Sequence, residues 1–104
     1  MDFNEAVNRA LAIRKAYHQL EEKHHGSEWS VEEDALAFLT DAAQVGRLSM
    51  AHQKRWPTGR DPEPELMHKI GESIWWLIIL AERMGIDSGQ SLEQFLKEKE
   101  KQFM

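Results

Sequence analysis

The segment Ile74-Trp-Trp-Leu-Ile-Ile-Leu-Ala81 decides the fold class of this chain. It has no polar residue over about two turns of helix, and Gly85, which follows it closely, is a typical helix end. A helix that is apolar on all sides must be buried on all sides. The adjacent Trp75 and Trp76 point in directions about 100° apart, so a small monomeric bundle would leave one of these faces in water. We therefore expect an all-α bundle in which this helix contacts a second copy of the chain.

The first helix is predicted from about Asn4 to His25, before the break at Gly26 and Ser27. Its apolar residues recur at steps of three and four positions, which indicates one buried helical face. The residues of this predicted buried face are Ala6, Ala10, Ile13, Tyr17 and Leu20.

Capping motifs mark the starts of two other helices. Ser30 is followed three residues later by Glu33, and Ser91 is followed in the same way by Gln94. In such a capping box the hydroxyl accepts a hydrogen bond from a free N–H of the first turn, while the later side chain reaches back to the cap. We therefore predict a second helix from Ser30 to about Met50, and a last helix that begins at Ser91.

A loop with two prolines and a glycine, from His52 to Pro62, connects the second helix to the third. Asp61 is a good N-cap for the third helix, which is predicted to run to about Met84. Short connections of this kind place consecutive helices side by side in a bundle. The prediction is a single domain of about four helices over residues 1–104, assembled as a dimer or tetramer.

The composition narrows the functional classes. A net charge of −5 argues against a general nucleic-acid-binding protein, which usually has a basic face. The absence of cysteine excludes disulfides, thiolate metal sites and cysteine nucleophiles. The longest apolar run is far shorter than the ~20 residues that span a bilayer, and the start of the sequence has no signal-peptide pattern. We expect a cytoplasmic protein that binds neither membranes nor nucleic-acid polymers.

Two pairs of polar residues lie within the apolar helices. Asp41 and Gln44 on the second helix are spaced by three residues and so share one helical face. Lys69 and Glu72 on the third helix have the same spacing. Antiparallel packing of these helices would bring the four side chains together. Because charged residues are rarely buried without partners, this cluster is the first candidate for a functional site.

The order of these elements resembles the MazG-like, all-α nucleoside triphosphate pyrophosphohydrolases over about Trp29–Gln102. The most specific part is the stretch 68–87, His-Lys-Ile-Gly-Glu-Ser-Ile-Trp-Trp-Leu-Ile-Ile-Leu-Ala-Glu-Arg-Met-Gly-Ile-Asp. It is similar to the family's second acidic helix, with its apolar run and Gly-Ile-Asp turn. The stretch 39–48, Leu-Thr-Asp-Ala-Ala-Gln-Val-Gly-Arg-Leu, resembles the first acidic helix, and the tail 97–102 resembles the lysine-rich closing helix.

This resemblance implies a metal-dependent hydrolase. Members of the family hold magnesium between ExxE and ExxD motifs on two helices, release pyrophosphate from a nucleoside triphosphate, and assemble as dimers or tetramers. Carboxylates on facing helices supply hard oxygen ligands and leave positions on the ion for phosphate and water. In this chain Asp41 and Glu72 keep a carboxylate, whereas Gln44 and Lys69 stand where the family has acids.

The functional prediction is a MazG-like pyrophosphohydrolase with weakened metal binding. Asp41 and Glu72 would hold magnesium, or manganese in its place, with Gln44 as a neutral oxygen ligand or water-positioning group. Two missing acids lower the affinity, because binding of a hard cation follows the number of anionic ligands. The candidates for binding the phosphates of the nucleotide are the basic residues Lys69, Lys54, Arg55 and Lys99.

Alternative interpretations stay open at the level of the sequence. In one alternative, Asp41 and Glu72 each pair with Lys69 and no metal is bound. An ammonium group pairs with carboxylates and repels a divalent cation. The basic loop with Trp56 either holds phosphates and stacks a base or is simply an exposed loop. For the whole chain, the alternative is a catalytically inactive binding or interaction module on the same scaffold. Lys69 is the residue that discriminates between the two functions.

Overall fold

The computed structural model describes residues 1–104 and contains four α-helices and no strand. The helices are α1 (Phe3–His25), α2 (Val31–His52), α3 (Glu63–Arg83) and α4 (Ser88–Phe103). The predicted all-α fold with four helices is therefore confirmed. None of the helices combines the length and the hydropathy that crossing a bilayer requires.

Local capping interactions determine where several helices begin and end. Ser30 Oγ accepts from the Glu33 N–H at 3.1 Å, and Glu33 Oε1 accepts from the Ser30 N–H at 3.0 Å, so the predicted capping box of α2 is confirmed. Asp61 Oδ1 accepts from the Glu63 N–H at 3.1 Å where α3 begins. Gly26 ends α1 at φ 75°, a left-handed conformation that costs residues with a Cβ roughly 1–2 kcal/mol.

The predicted start of α4 at Ser91 is wrong. The helix begins three residues earlier, and its N-cap is Asp87, whose Oδ1 accepts from the Gln90 N–H at 2.8 Å. Ser91 lies inside the helix, and its hydroxyl donates to the Asp87 carbonyl oxygen at 2.9 Å. Asp and Ser are about equally good N-caps, so the motif at Ser91 did not exclude a start at Asp87. Glycine suits position 89, because a Cβ on Gly89 would lie only 3.3 Å from Phe3 Cδ1.

The end of α2 is a Schellman motif with a lysine at the position where glycine is usual. The Arg55 N–H donates to the Met50 carbonyl oxygen at 2.9 Å, and the Lys54 N–H donates to the Ala51 carbonyl oxygen at 3.0 Å. Lys54 has a φ of 62°, and every other residue with a positive φ is a glycine. The motif therefore holds Lys54 in a conformation that residues with a Cβ disfavour.

The chain divides into two compact units. The hairpin unit (residues 30–77) contains α2 and most of α3, and the terminal unit (residues 1–29 and 78–104) contains α1, the end of α3 and α4. The buried apolar residues of the hairpin unit are Leu48, Ala51 and Trp76, and those of the terminal unit are Ala10, Ile78, Ile79 and Leu80.

α1 turns a different face inward from the one that its apolar periodicity predicts. Ala10 is buried as predicted, but the adjacent buried position is taken by Arg14. Arg14 is drawn inward because its guanidinium pairs with Glu21 at 2.7 Å. Three residues that were predicted to be buried are instead about half exposed, namely Ile13, Tyr17 and Leu20.

The apolar run of α3 is exposed on one narrow face. Trp76 and Ile79 are buried, and Trp75 has intermediate exposure. Ile74 and Leu77 are each 54% exposed. The face left open is therefore the aliphatic one, and neither tryptophan forms it.

Candidate functional site: an ion triad between α2 and α3

The predicted polar cluster of α2 and α3 contains an ion triad, which lies in the hairpin unit and consists of Asp41, Lys69 and Glu72. Lys69 Nζ donates to Asp41 Oδ1 at 3.1 Å and to Glu72 Oε1 at 3.0 Å. Lys69 and Glu72 are three residues apart and so share one face of α3, whereas Asp41 reaches them from α2. The side chains of Asp41 and Lys69 are only 12% and 20% exposed, and that of Glu72 is 30% exposed.

Trp76 completes this cluster and is not among the site residues that the sequence predicts. Its indole N–H donates to Asp41 Oδ2 at 2.8 Å, so both carboxylate oxygens of Asp41 have donors. Trp76 lies seven residues after Lys69, which puts both side chains on the same face of α3. This spacing could have predicted that Trp76 joins the cluster, because a buried tryptophan usually finds an acceptor for its N–H.

The triad favours the charged form of Lys69. The hydrogen bond to Glu72, followed by the one to Asp41, raises the pKa of Lys69 above its usual value and outweighs the opposing effect of partial burial. Lys69 is therefore an ammonium ion at neutral pH. One positive and two negative charges give the triad a formal charge of −1.

The donor set of the triad does not fit a magnesium ion. Mg²⁺ is usually held by one or two carboxylates together with waters and phosphate oxygens, but the two carboxylates that converge here already share an ammonium group. Asp41 already accepts from Lys69 on one oxygen and from Trp76 on the other. The Lys69 ammonium takes the position from which a cation would bridge Asp41 and Glu72, and it would repel a divalent ion. No group of three or more His, Cys, Asp or Glu side chains is arranged to hold a metal ion.

Gln44 and His68 lie outside the hydrogen-bonded cluster. The hydrogen bonds of the triad run among its own members and to Trp76, whereas Gln44 is exposed on α2. His68 Nε2 is 3.8 Å from Glu72 Oε1, which is too long for a hydrogen bond, and the His68 side chain is largely exposed. The predicted neutral oxygen ligand is thus not brought into the cluster.

The loop between α2 and α3 carries two of the predicted phosphate-binding residues. Lys54 lines a cavity of about 470 Å³ in this loop, and Arg55 is not part of its lining. The guanidinium of Arg47 lies 4.2 Å from the centroid of the Trp56 ring and donates to the Trp56 carbonyl oxygen at 2.8 Å. One face of this ring, which was the predicted stacking surface for a base, is therefore covered by a cation–π contact.

Lys99, the remaining predicted phosphate-binding residue, lies on α4 in the terminal unit. Its Nζ donates to Gln102 Oε1 at 3.4 Å and lies 5.8 Å from the centroid of the Phe95 ring. Both partners belong to the same helix. Contacts within α4 account for the position of Lys99, and its role in phosphate binding stays a prediction.

A second charged cluster, not predicted from the sequence, lies in the terminal unit. We call it the Glu21 cluster, and it consists of Arg14, His18, Glu21 and Trp29. Arg14 donates to both carboxylate oxygens of Glu21, at 2.7 and 3.4 Å. The Trp29 N–H donates to Glu21 Oε1 at 2.7 Å, and His18 Nδ1 lies 3.3 Å from the same oxygen. Burial alone would raise the pKa of Glu21, but the hydrogen bonds from Trp29 and Arg14 outweigh it and lower the pKa below its usual value.

The Glu21 cluster anchors the connection that follows α1. Glu21 holds the N–H of Trp29, and Arg83 donates to the carbonyl oxygen of the same residue at 2.6 Å. A cavity of about 390 Å³ lies beside the cluster, and its charged lining residues have both signs. The cluster therefore has a clear structural role and presents no single charge that would select a ligand.

Comparison with known proteins identifies no relative of this chain. No protein-family model matches it, and neither a curated protein nor a solved structure matches it. The resemblance to the MazG-like family rests on the motifs in stretches 39–48 and 68–87.

Proposed function

We propose that this chain is a MazG-like helical protein that keeps the scaffold as an interaction module and has lost metal-dependent pyrophosphate release. The observation that carries this proposal is the position of Lys69 Nζ, 3.1 and 3.0 Å from the carboxylates of Asp41 and Glu72. An ammonium group at this position supplies the positive charge that magnesium supplies in the family. The ammonium therefore offsets one of the two negative charges without a metal ion.

The exposed apolar residues of α3 support the interaction role. Isolated apolar residues on a surface are ordinary, whereas a contiguous apolar patch usually marks an interface. Ile74 and Leu77 are more than half exposed within a run that has no polar residue to interrupt it. Self-association as a dimer or tetramer is the interaction that we propose for this surface.

One feature of the same site favours a second candidate function, which is slow release of pyrophosphate from a nucleoside triphosphate. Asp41 and Glu72 still converge on a single cation from two helices. If Lys69 contacts a phosphate group in the working protein, these two carboxylates become available to a divalent ion. With so few anionic ligands, we expect magnesium affinity no stronger than about millimolar.

The decisive experiment converts the triad into a cluster of four carboxylates. Pyrophosphate release from the common nucleoside triphosphates is measured with magnesium and with manganese for the parent, for Lys69→Ala, and for Lys69→Glu combined with Gln44→Glu. We expect the parent and Lys69→Ala to be inactive. We expect the double variant to bind magnesium more tightly than the parent, and to be less stable in metal-free buffer because clustered acids repel one another.

The matched control places the same pair of substitutions on an exposed helix. Lys97→Glu with Gln94→Glu changes the net charge of the protein equally, on the exposed surface of α4, and should leave magnesium affinity unchanged. A parent that releases pyrophosphate and loses this activity in Lys69→Ala would establish the second candidate in place of the first. A double variant whose magnesium affinity equals that of the control would contradict the assignment of the triad to the former metal position.

A further inference from the structure

The connection between α1 and α2 is held by three polar contacts within the terminal unit. The Trp29 N–H donates to Glu21 Oε1 at 2.7 Å, and the Trp29 carbonyl oxygen accepts from Arg83 at 2.6 Å. The third contact joins Glu28 to His18, with Glu28 Oε2 3.7 Å from His18 Nδ1. The charged partners in the first two contacts, a carboxylate and a guanidinium, keep their charge near neutral pH. The third contact depends on the charge of an imidazole, which changes in this range.

His18 faces two carboxylates with one ring nitrogen. Its Nδ1 lies 3.3 Å from Glu21 Oε1 and 3.7 Å from Glu28 Oε2. The His18 side chain is only 18% exposed, and partial burial strengthens its interactions with charged neighbours. Because both neighbours of Nδ1 are acceptors, the neutral ring carries its proton on Nδ1 and leaves the lone pair of Nε2 free. Protonation of Nε2 then makes the whole ring a cation beside two anions.

Glu28 is the carboxylate that responds to this charge. Glu21 already accepts from the Trp29 N–H and from the Arg14 guanidinium, so additional positive charge changes its position little. The Glu28 side chain is 46% exposed, and its distance of 3.7 Å from His18 is longer than a hydrogen bond but within the range of an ion pair. A cationic His18 draws the Glu28 carboxylate inward, whereas a neutral His18 leaves that carboxylate to the solvent.

The other charged groups around His18 line the cavity of about 390 Å³ beside the Glu21 cluster, and His18 lines it too. They are Lys15 and Glu22 of α1, and Glu82 and Arg83 of α3. Two of them are acidic and two are basic, so their formal charges cancel. Carboxyl groups ordinarily titrate below about pH 5, and ammonium and guanidinium groups titrate above about pH 8. His18 is therefore the group in these surroundings whose charge changes between these values.

We propose that His18 and Glu28 form a pH-sensitive latch, which in mild acid closes and holds the connection between α1 and α2 against α1. Closure binds a proton, so the latch is closed at the acidic end of the range and opens as pH rises through about pH 5–8, where imidazole titrates. Both residues line the 390 Å³ cavity, so the latch also controls access to that cavity. The latch lies in the terminal unit and shares no residue with the ion triad, so it does not depend on the proposed function.

The test measures the mobility of this connection with a nitroxide spin label on the full chain. The protein has no cysteine, so Ser27→Cys, at an exposed position of the connection, provides a single labelling site. We expect the ratio of mobile to immobile label in the electron paramagnetic resonance spectrum to rise about threefold between about pH 5.5 and pH 8, since a partly exposed ion pair is weak. In the same background, His18→Gln and Glu28→Gln should give the mobile spectrum at both pH values.

His24→Gln is the matched control, because His24 is an exposed histidine of the same helix whose ring contacts that of His25. It should keep the threefold rise, and loss of the rise in this variant would overturn the assignment to His18. A parent ratio that does not change with pH would overturn the latch. A rise that survives in Glu28→Gln would overturn it as well, since the charge of His18 would then act on Glu21 alone. Circular dichroism at both pH values checks that the helices are kept, and Glu28→Gln, at an exposed side chain, tests the latch even if His18→Gln unfolds α1.

Discussion

The ion triad and the Glu21 cluster use the same kinds of group in opposite arrangements. In the ion triad one cation, Lys69, lies between the carboxylates of Asp41 and Glu72. In the Glu21 cluster one carboxylate lies between the basic side chains of Arg14 and His18 and also accepts from a backbone N–H. In the ion triad, two acids share one positive charge. In the Glu21 cluster, several hydrogen-bond donors share one acid.

The difference shows which cluster would attract a cation if one of its charged groups were removed. Removal of the Lys69 ammonium would leave two neighbouring carboxylates without a counter-charge, and such a pair attracts a cation. Removal of a donor from Glu21 would leave a carboxylate that still has other donors. Charged residues that are largely shielded from solvent are thus poor evidence for a functional site until the ratio of acids to donors is known.

The largest expected effect is the loss of Asp41 from the triad. Asp41→Ala removes one of the two carboxylates that face the Lys69 ammonium, and with it the oxygen that accepts from the buried Trp76 N–H. Loss of one partner of a buried pair costs several kcal/mol. Because the Lys69 side chain is one-fifth exposed, solvent offsets part of this cost, and we expect the free energy of unfolding to fall by about 2–3 kcal/mol. Denaturant titration followed by circular dichroism measures this change.

Glu72→Ala is the matched control for that experiment. It removes the other carboxylate of the triad, but Glu72 is more exposed and holds no buried N–H. We expect a loss of about 1 kcal/mol or less, because partly exposed pairs contribute little. Equal losses for the two variants would contradict the view that Asp41 is the buried centre of the cluster.

A smaller effect is expected from Glu21→Gln in the other cluster. The amide keeps one acceptor oxygen for the Trp29 N–H but loses the charge that faces the buried Arg14. We expect the free energy of unfolding to fall by about 1–2 kcal/mol. If Glu21→Gln costs more than Asp41→Ala, the charge that faces Arg14 contributes more to stability than the carboxylate shared by Lys69 and Trp76.

The smallest expected effect is a difference in pH dependence. Because the folded-state pKa of Glu21 is lowered, its contribution is present above the ordinary carboxyl pKa of ~4.3 and is lost as pH falls through the folded-state pKa. Because the folded-state pKa of Lys69 is raised, its contribution is present below ~10.4 and is lost as pH rises through the folded-state pKa. The two clusters should therefore weaken at opposite ends of the pH scale.

Stability measured against pH for the parent, Glu21→Gln and Lys69→Met checks this expectation. The difference in free energy of unfolding between the parent and Glu21→Gln should shrink in acid. The corresponding difference between the parent and Lys69→Met should shrink in alkali. Glu65, whose pKa is also lowered by its hydrogen bond with Arg60, cancels from the difference between the parent and Glu21→Gln. Lys69 also lowers the pKa of Glu65, so Glu65 does not cancel for Lys69→Met, but its effect falls in acid and not in the alkaline range where Lys69 titrates. Differences that stay constant across the pH range would show that neither charge contributes to stability.

Much of the candidate site was predictable because it depends on helical spacing. Asp41, Lys69 and Glu72 were expected to meet, since residues three apart share a face and the two helices were expected to pack together. Gln44 shares that spacing with Asp41, yet it is exposed. Spacing shows that two residues share a face of a helix, but it does not show which of them contacts the neighbouring helix. It therefore could not predict that Asp41 is buried and Gln44 is exposed.

The Glu21 cluster and the inward face of α1 could not be predicted in this way. Periodicity ranks positions by hydropathy, and it therefore favoured Ile13 and Tyr17 over Arg14. Arg14 is buried because Glu21 satisfies its guanidinium, and Glu21 lies seven residues away on the same helix. Burial of a charged side chain depends on its partner, and hydropathy carries no information about partners.

The sequence by itself determined the helices of this protein and most of their ends, because caps and glycine conformations depend on residues a few positions apart. The capping box of Ser30 and Glu33 and the left-handed Gly26 and Gly85 are examples. Only the tertiary structure decided what Lys69 contacts and which apolar faces stay open. Both depend on side chains far apart in the chain, such as Asp41 and Lys69, whose approach is set by packing and by the cost of leaving a charge without a partner.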